Sequence, residues 1–193
     1  MPTLHVVIPH YEEGATVAPC LERVAAAPLP EGWTLRLHVV DDGSSPEAAG
    51  EAERVVAGLA EGGVDAEFLR HPVNRGKGAA VRTGFARAVE TAREDDLVVI
   101  QDADLEYDPA DFAALMQPLV AGEADAVLGT RWGAHRPVAG FVARVHRLGN
   151  RALTELSNLA TGERVTDMEC CYKLFTVQVL RALLPRLTEE RFG

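Results

Sequence analysis

The chain has 193 residues, 47% of them hydrophobic and 25% charged, with a formal net charge of −10. That balance fits one soluble globular domain and opposes a general nucleic-acid or anionic-membrane binder, whose phosphates demand the opposite sign. Cys20, Cys170 and Cys171, with no signal peptide, suggest a reducing, cytosolic setting, and no apolar stretch reaches the ~18 residues that cross a bilayer.

The first expected element is a strand at Leu4–Ile8. It delivers Pro9-His10-Tyr11-Glu12-Glu13, an aromatic face with acids, as a nucleoside site needs; a turn opening a helix explains the same residues. A helix over Thr16–Ala26 follows, then a strand at Leu35–Val40 ending in Asp41-Asp42-Gly43-Ser44-Ser45-Pro46. Ser45 before Pro46 is a good N-cap for a helix over Pro46–Ala60. The cap accounts for the serines but leaves two adjacent acids at a buried strand end, where a carboxylate can accept a hydrogen bond from a base or ribose.

A third strand at Ala66–Leu69 delivers Asn74-Arg75-Gly76-Lys77-Gly78 and a helix over Lys77–Ala92. The glycines allow close backbone approach, and Lys77 offers a positive charge at a helix start. The spacing is not that of a P-loop: His71 stands where its first glycine belongs, and Gly78 where Ser or Thr belongs. The fourth strand, Leu97–Gln101, is a continuous apolar run of the kind found in a parallel sheet covered on both faces. It runs into Asp102-Ala103-Asp104-Leu105-Glu106, and function in such sheets collects beyond the carboxyl ends of the strands. Two Asp spaced i, i+2 on a bend repel each other unless a cation sits between them. Hard oxygen ligands suit Mg²⁺ or Mn²⁺, usually with substrate phosphates completing the shell. The plainer reading is a solvated Asp-rich turn before a helix over Pro109–Val120.

A fifth strand, Ala126–Leu128, delivers Gly129-Thr130-Arg131. This alternation predicts an α/β fold, a mostly parallel sheet with helices on both faces. After Thr130 the rhythm breaks into a helical stretch over Val138–Ala160 and a last helix at Val177–Leu184. From Arg131 to Arg151 there are five arginines and two histidines but no acid. Arg144, Arg147 and Arg151 recur on one helical face, while Phe141, Val145, Leu148 and Leu156 lie toward another. Either this is an ordinary amphipathic surface helix, or it is a face for an anionic lipid phosphate at a membrane surface. The six histidines show no metal-ligand spacing.

VVIPHYEE, VVDDGSSP, NRGKGAAVRTGF, QDADLEYDP, LGTRW and TDMECCYKLF, spread from residue 6 to 175, together resemble the family 2 glycosyltransferases. The likeness is strongest to the polyprenyl-phosphate sugar transferases typified by dolichyl-phosphate mannose synthase. It implies a GT-A (Rossmann-like) fold in one domain over 1–193, with residues 1–131 as the nucleotide-sugar half and 132–193 on the acceptor side. It further implies a metal-dependent, inverting transfer of mannose or glucose from a GDP- or UDP-hexose to a polyprenyl phosphate. Asp102 and Asp104, with Glu106 two residues on, would hold Mg²⁺ or Mn²⁺ on the donor diphosphate. Pro9, Tyr11, Glu13, Asp41, Asp42, Lys77, Asp102, Ala103 and Asp104 would bind the nucleotide-sugar. Asp102, Asp104 and Arg131 would be catalytic, and Arg131, Arg144, Arg147, Asp167 and Lys173 would face the acceptor. Where the family carries Pro-x-Tyr-Asn-Glu, this chain has Glu12 in place of the Asn.

A lipid phosphate is already an anion near pH 7, which suits a chain with no obvious catalytic histidine. The expected setting is cytoplasmic, peripheral at the inner membrane face, with no nucleic-acid partner. In relatives an Arg-Phe-Gly like Arg191-Phe192-Gly193 leads into a further strand and often membrane-associated helices, so the chain reads as a catalytic core cut on its acceptor side. The alternatives at this point are a glycan or other non-lipid acceptor, an Asp-x-Asp phosphohydrolase, and an inactive nucleotide-sugar binding module.

Overall fold

The computed structural model describes residues 1–131, 141–162 and 164–191, and of residues 141–147 the backbone only. Among the described residues six strands form one sheet: β1 (Thr3–His10), β2 (Thr34–Asp41), β3 (Asp65–Arg70), β4 (Leu97–Ile100), β5 (Ala126–Leu128) and β6 (Lys173–Thr176). Their spatial order is β3-β2-β1-β4-β6-β5. β1 pairs in parallel with β2 and β4, and β2 with β3; β6 runs antiparallel to β4, with Val98 opposite Phe175. The helices are α1 (Gly14–Ala25), α2 (Pro46–Glu61), α3 (Lys77–Thr91), α4 (Phe112–Val120), α5 (Phe141–Thr161) and α6 (Val177–Leu183).

All five expected strands and the expected helices are present, with ends shifted by a few residues, though the expected helix start at 138–140 lies outside the described residues; the start of the fourth helix, Pro109–Asp111, is a separate 3-10 turn. β6 was not expected. The chain forms two compact units: Met1–Val127 together with Leu174–Gly193, and Leu128–Lys173.

In the first unit, the run of branched residues in β1, β2 and β4 is buried on both faces, as covered parallel strands require. Val7, Val98 and Ile100 pack with Val81, Phe85 and Ala88 of α3 and Val177 and Leu180 of α6. By the two-residue pleat, Leu4, Val6 and Ile8 face the other way, toward the side that α1 and α2 cover. α3 lies close against the sheet because position 84 is glycine: a Cβ there would collide with Val7 Cγ1. Parallel strands in this order place the carboxyl ends of β1, β2 and β4 side by side.

Candidate functional site

A cavity of about 190 Å³ opens at those strand ends, lined by Pro9, His10, Tyr11, Glu13, Asp42, Asn74, Lys77, Ala80, Asp102, Ala103 and Asp104. Every residue expected to bind the nucleotide-sugar lines it except Asp41. His10, Asn74 and Ala80 were not singled out as binders.

Asp41 is the last residue of β2 and Asp42 the first beyond it, and the two acids take different partners. Asp41 is fully buried, with Oδ2 3.2 Å from Arg70 Nε and both oxygens 3.3–3.4 Å from the Ser44 N–H. Asp42 organises the loop ahead of α3: it accepts from the backbone N–H of Gly76 at 2.6 Å and of Arg75 at 3.1 Å, and its Oδ1 lies 2.6 Å from His71 Nδ1. His71 is fixed in turn by Thr83 Oγ1 at 2.9 Å. His71 was noted only for breaking the P-loop pattern; one sequence position carries no sign of a partner on a different strand.

Glu12 adopts φ +55° and turns its carboxylate onto the start of α2, accepting from Ser45 N at 2.6 Å and Ser45 Oγ at 3.0 Å. An anion is well placed at that helix end. The chain-specific acid at position 12 is therefore committed to α2.

Lys77 Nζ lies 2.8 Å from both oxygens of Asp102; the geometry makes a hydrogen bond to Oδ2 only, and Oδ1 is buried without one. Asp104 is exposed and accepts the Glu106 N–H at 2.9 Å, helped by φ +65° at Leu105. Glu106 is exposed and lies outside the cavity lining. Burial, with Asp104 and Asp102 nearby, pushes the Glu13 carboxyl up to about 7, against the pull of Lys77.

Among the described residues no group of three His, Cys, Asp or Glu is arranged to hold a metal ion. A cation at Asp102 and Asp104 would need other oxygens, and a diphosphate supplies them. The residues present fit that division of ligands. Burial pushes the Cys20 thiol up to about 12, which removes it as a nucleophile.

The α3 start has a second anchor in the same unit. Glu190 bridges Arg75 and Arg82 at 2.8 and 3.0 Å, and its carbonyl accepts the Ala79 N–H at 2.9 Å. Gly76, at φ +104°, has no room for a Cβ beneath the Glu190 backbone.

In the second unit, Arg131 and Asp167 are bonded to each other. The guanidinium reaches both carboxylate oxygens at 2.9 Å, and the Arg131 N–H donates to Oδ2 at 3.0 Å. Burial raises Asp167, but these bonds outweigh it and hold the carboxyl below its usual range. Two residues expected on the acceptor side, one of them also as catalytic, thus form one clamp. Lys173 opens β6, half-buried. The side chains of Arg144 and Arg147 lie outside the described residues.

α5 faces the wrong way for an ordinary amphipathic helix. Leu148, Leu153, Leu156 and Leu159 are 70%, 52%, 64% and 83% exposed, whereas Thr154 is 3% exposed. Thr154 Oγ1 accepts the Met168 N–H, and the Asn158 amide bonds both the N–H and the carbonyl of Val165 at 2.9 Å. The polar side is tied to the chain and the apolar side is turned out.

Residues 5–184 match the model of the glycosyl transferase family 2. The chain is 29% identical over 180 residues to dodecaprenyl-phosphate galacturonate synthase of Rhizobium johnstonii, covering 92% of this chain and 49% of that protein. It is 30% identical over 179 residues to undecaprenyl-phosphate 4-deoxy-4-formamido-L-arabinose transferase of Proteus mirabilis, covering 93% and 50%. It thus spans about half the length of these curated relatives. Glucosyl-3-phosphoglycerate synthase from Mycobacterium tuberculosis, solved with Mn²⁺, UDP and phosphoglyceric acid, superposes with a TM-score of 0.62 at 25% identity, covering 92% of this chain and 57% of that one. A mannosyltransferase from Pyrobaculum calidifontis, solved with GDP-Man and Mn²⁺, gives 0.59 at 20% identity over 97% and 47%, a likeness of fold.

Proposed function

The chain belongs to glycosyl transferase family 2, and on that premise we propose that it transfers a hexose from a nucleotide-sugar to a polyprenyl phosphate. The observation that carries this reading is the meeting of Asp102, Asp104, Lys77 and the aromatic Tyr11 in one cavity at the strand ends. Tyr11, 47% exposed, offers a face for a base, and Lys77 offers charge to a diphosphate. Asp102 and Asp104 would hold Mg²⁺ or Mn²⁺ together with that diphosphate. When bound, the ion neutralises charge that builds up on the leaving group. Lys77 adds a fixed cation there, held by Asp102 and by the α3 start that Asp42 and Glu190 brace.

An acceptor phosphate arrives as an anion and needs no side chain to remove a proton. The Arg131–Asp167 clamp would fix the backbone that follows β5, and Lys173 together with Arg144 and Arg147 would meet the phosphate. The names of the relatives from Rhizobium and Proteus support a polyprenyl acceptor. The outward leucines of α5, together with the acid-free stretch from 126 to 154 that holds Leu148 and Leu153, support seating on an anionic membrane surface from the cytoplasmic side.

Incubating the protein with Mn²⁺, radiolabelled UDP-hexoses and GDP-mannose, and undecaprenyl phosphate in detergent tests the proposal. Label should enter the lipid phase only with metal and one donor class. Label passing instead to phosphoglycerate would support a soluble phosphorylated acceptor.

A further inference from the structure

We infer that Thr154 and Asn158 are positioning residues for the acceptor: from α5 they hold the Arg131–Asp167 clamp in the pose that receives it. The inference rests on the reading of the second unit as the acceptor side.

Of the α5 side chains from Leu148 to Thr161, Thr154 alone is buried. Asn150, Ser157 and Asn158 are half-buried and share its side of the helix, lying four residues before it and three and four after. These four inward residues are all polar. Apolar contacts have no direction and let a helix slide or turn in place. Hydrogen bonds have one, and here they set the register of α5 against residues 165–168.

Thr154 Oγ1 donates its proton to the Asn150 carbonyl at 2.8 Å, within α5. Its lone pairs are left to accept, and the Met168 N–H uses one at 3.3 Å. One turn on, Asn158 donates through Nδ2 to the Val165 carbonyl and accepts the Val165 N–H through Oδ1, both at 2.9 Å. The amide thereby pairs with Val165 as a neighbouring strand would.

Asp167, 0% exposed, lies between the two anchored residues. It accepts the Glu169 N–H at 3.2 Å and three bonds from Arg131, one of them from the main chain. The carboxylate therefore fixes the backbone at position 131 as well as the guanidinium. Two residues earlier, the Gly129 N–H donates to the Tyr172 carbonyl at 2.8 Å, and a Cβ at 129 would come within 2.9 Å of Tyr172 Cβ. An unbroken line of bonds thus runs from α5 to Arg131, and Thr154 and Asn158 act through Asp167.

Thr154→Val keeps the shape of the side chain and leaves the Met168 N–H without its acceptor, so it separates orientation from packing. In the labelling reaction with undecaprenyl phosphate, kcat/KM for the lipid should fall about tenfold, mostly in KM. Calorimetric titration of the same protein with UDP and with GDP, each with Mn²⁺, should return the wild-type affinities and stoichiometry. Thr154→Ser restores the acceptor and should restore transfer, and Asn158→Ala should repeat the loss. Co-sedimentation with anionic vesicles should not change, because the leucines of α5 are untouched.

Wild-type transfer by folded Thr154→Val and Asn158→Ala overturns the inference and leaves the acceptor reading standing. A matching loss of donor affinity or stoichiometry, or failure of both variants to fold, shows bracing of the fold alone and also overturns it. Failure of Thr154→Ser to restore transfer overturns the role of the hydroxyl. If the wild-type chain labels no polyprenyl phosphate, the reading falls and the inference with it.

Discussion

β1 carries a buried histidine near each end, and the two are served in opposite ways. At the amino end, His5 Nδ1 faces His38 Nε2 at 2.9 Å and His5 Nε2 faces Asp96 Oδ2 at 3.3 Å. His38 Nδ1 meets Glu67 at 2.7 Å, and Glu67 takes Arg87 Nε at 2.9 Å. The rings lie 6° from parallel with centroids 5.2 Å apart; given the 2.9 Å nitrogen contact, they meet edge to edge rather than face to face. At the carboxyl end, His10 and Glu13 Oε2 have no hydrogen bond.

A cavity near His5, lined also by Thr3 and Asp96, measures about 340 Å³, larger than the one at His10. Size does not separate the two ends, and neither does burial or residue type. What separates them is whether polar atoms already have partners. A folded chain rarely leaves such atoms unpaired without a use for them.

The sharpest way to break this contrast is to remove charge from the unsatisfied end. Asp102→Asn or Asp104→Asn should cut Mn²⁺-dependent sugar transfer by about 100-fold or more, from lost stabilisation of the leaving diphosphate. Melting temperature should hold or rise in Asp104→Asn, which is exposed and thins out mutually repelling acids, whereas Asp102→Asn also gives up the Lys77 ion pair. A fall in melting temperature of several degrees in Asp104→Asn would class that aspartate with the satisfied end.

Asp42 sits in the same cavity but is bonded like the amino end, so it should behave as a hybrid. Asp42→Ala strands the N–H groups of Arg75 and Gly76, and should cost about 2–4 kcal/mol of stability together with donor binding. Denaturant unfolding of the variant measures the first and calorimetry the second.

Acid should find the amino end first. Burial lowers His5 and brings His38 down to about 4, with the neighbouring ring and Arg36 adding to the effect on His38 and Glu67 opposing it. The unfolded histidine titrates near 6.5, so below that pH the unfolded chain takes up protons that the fold refuses. This stability is present above pH 6.5 and is lost as pH falls toward about 4. Burial raises Glu67, but Arg87 and His38 bring it below its usual range, so its protonation adds loss in the same direction. Asp65, Arg36 and Asp96 also face this row, and His38→Val should flatten the slope of melting temperature between pH 4 and 7 if the histidine dominates.

The smallest effect should come from the second unit. Leu156→Asp should weaken binding to anionic vesicles and leave nucleotide affinity unchanged, read by co-sedimentation and calorimetry. Unaltered vesicle binding would mean that the apolar face of α5 has another use.

Periodicity was enough to find β1 to β5, and the cavity lining contains the residues that the family resemblance assigned to the nucleotide-sugar except Asp41, but not Glu106 or Arg131. β6 escaped because Lys173–Thr176 is four residues long and is placed by Val98 and Val99 rather than by its own pattern. Asp41 and Asp42 read alike in the sequence; their partners, Arg70 for one and Gly76 and His71 for the other, tell them apart. α5 shows the limit of an amphipathic pattern, which reveals two faces but not which of them is turned inward. Glu12 and His71 take their places from Ser45 and Asp42. No spacing rule links those pairs.

Gly84 acts on the site from a distance. It sits seven residues along α3 from Lys77, roughly 10 Å at 1.5 Å per residue. A methyl at position 84 would meet Val7 and wedge the helix away from the sheet. The helix is stiff over that span, so it would swing as a lever and carry the lysine ammonium off Asp102. Gly84→Ala should therefore act as a remote catalytic lesion, slowing transfer although position 84 lies outside the cavity lining.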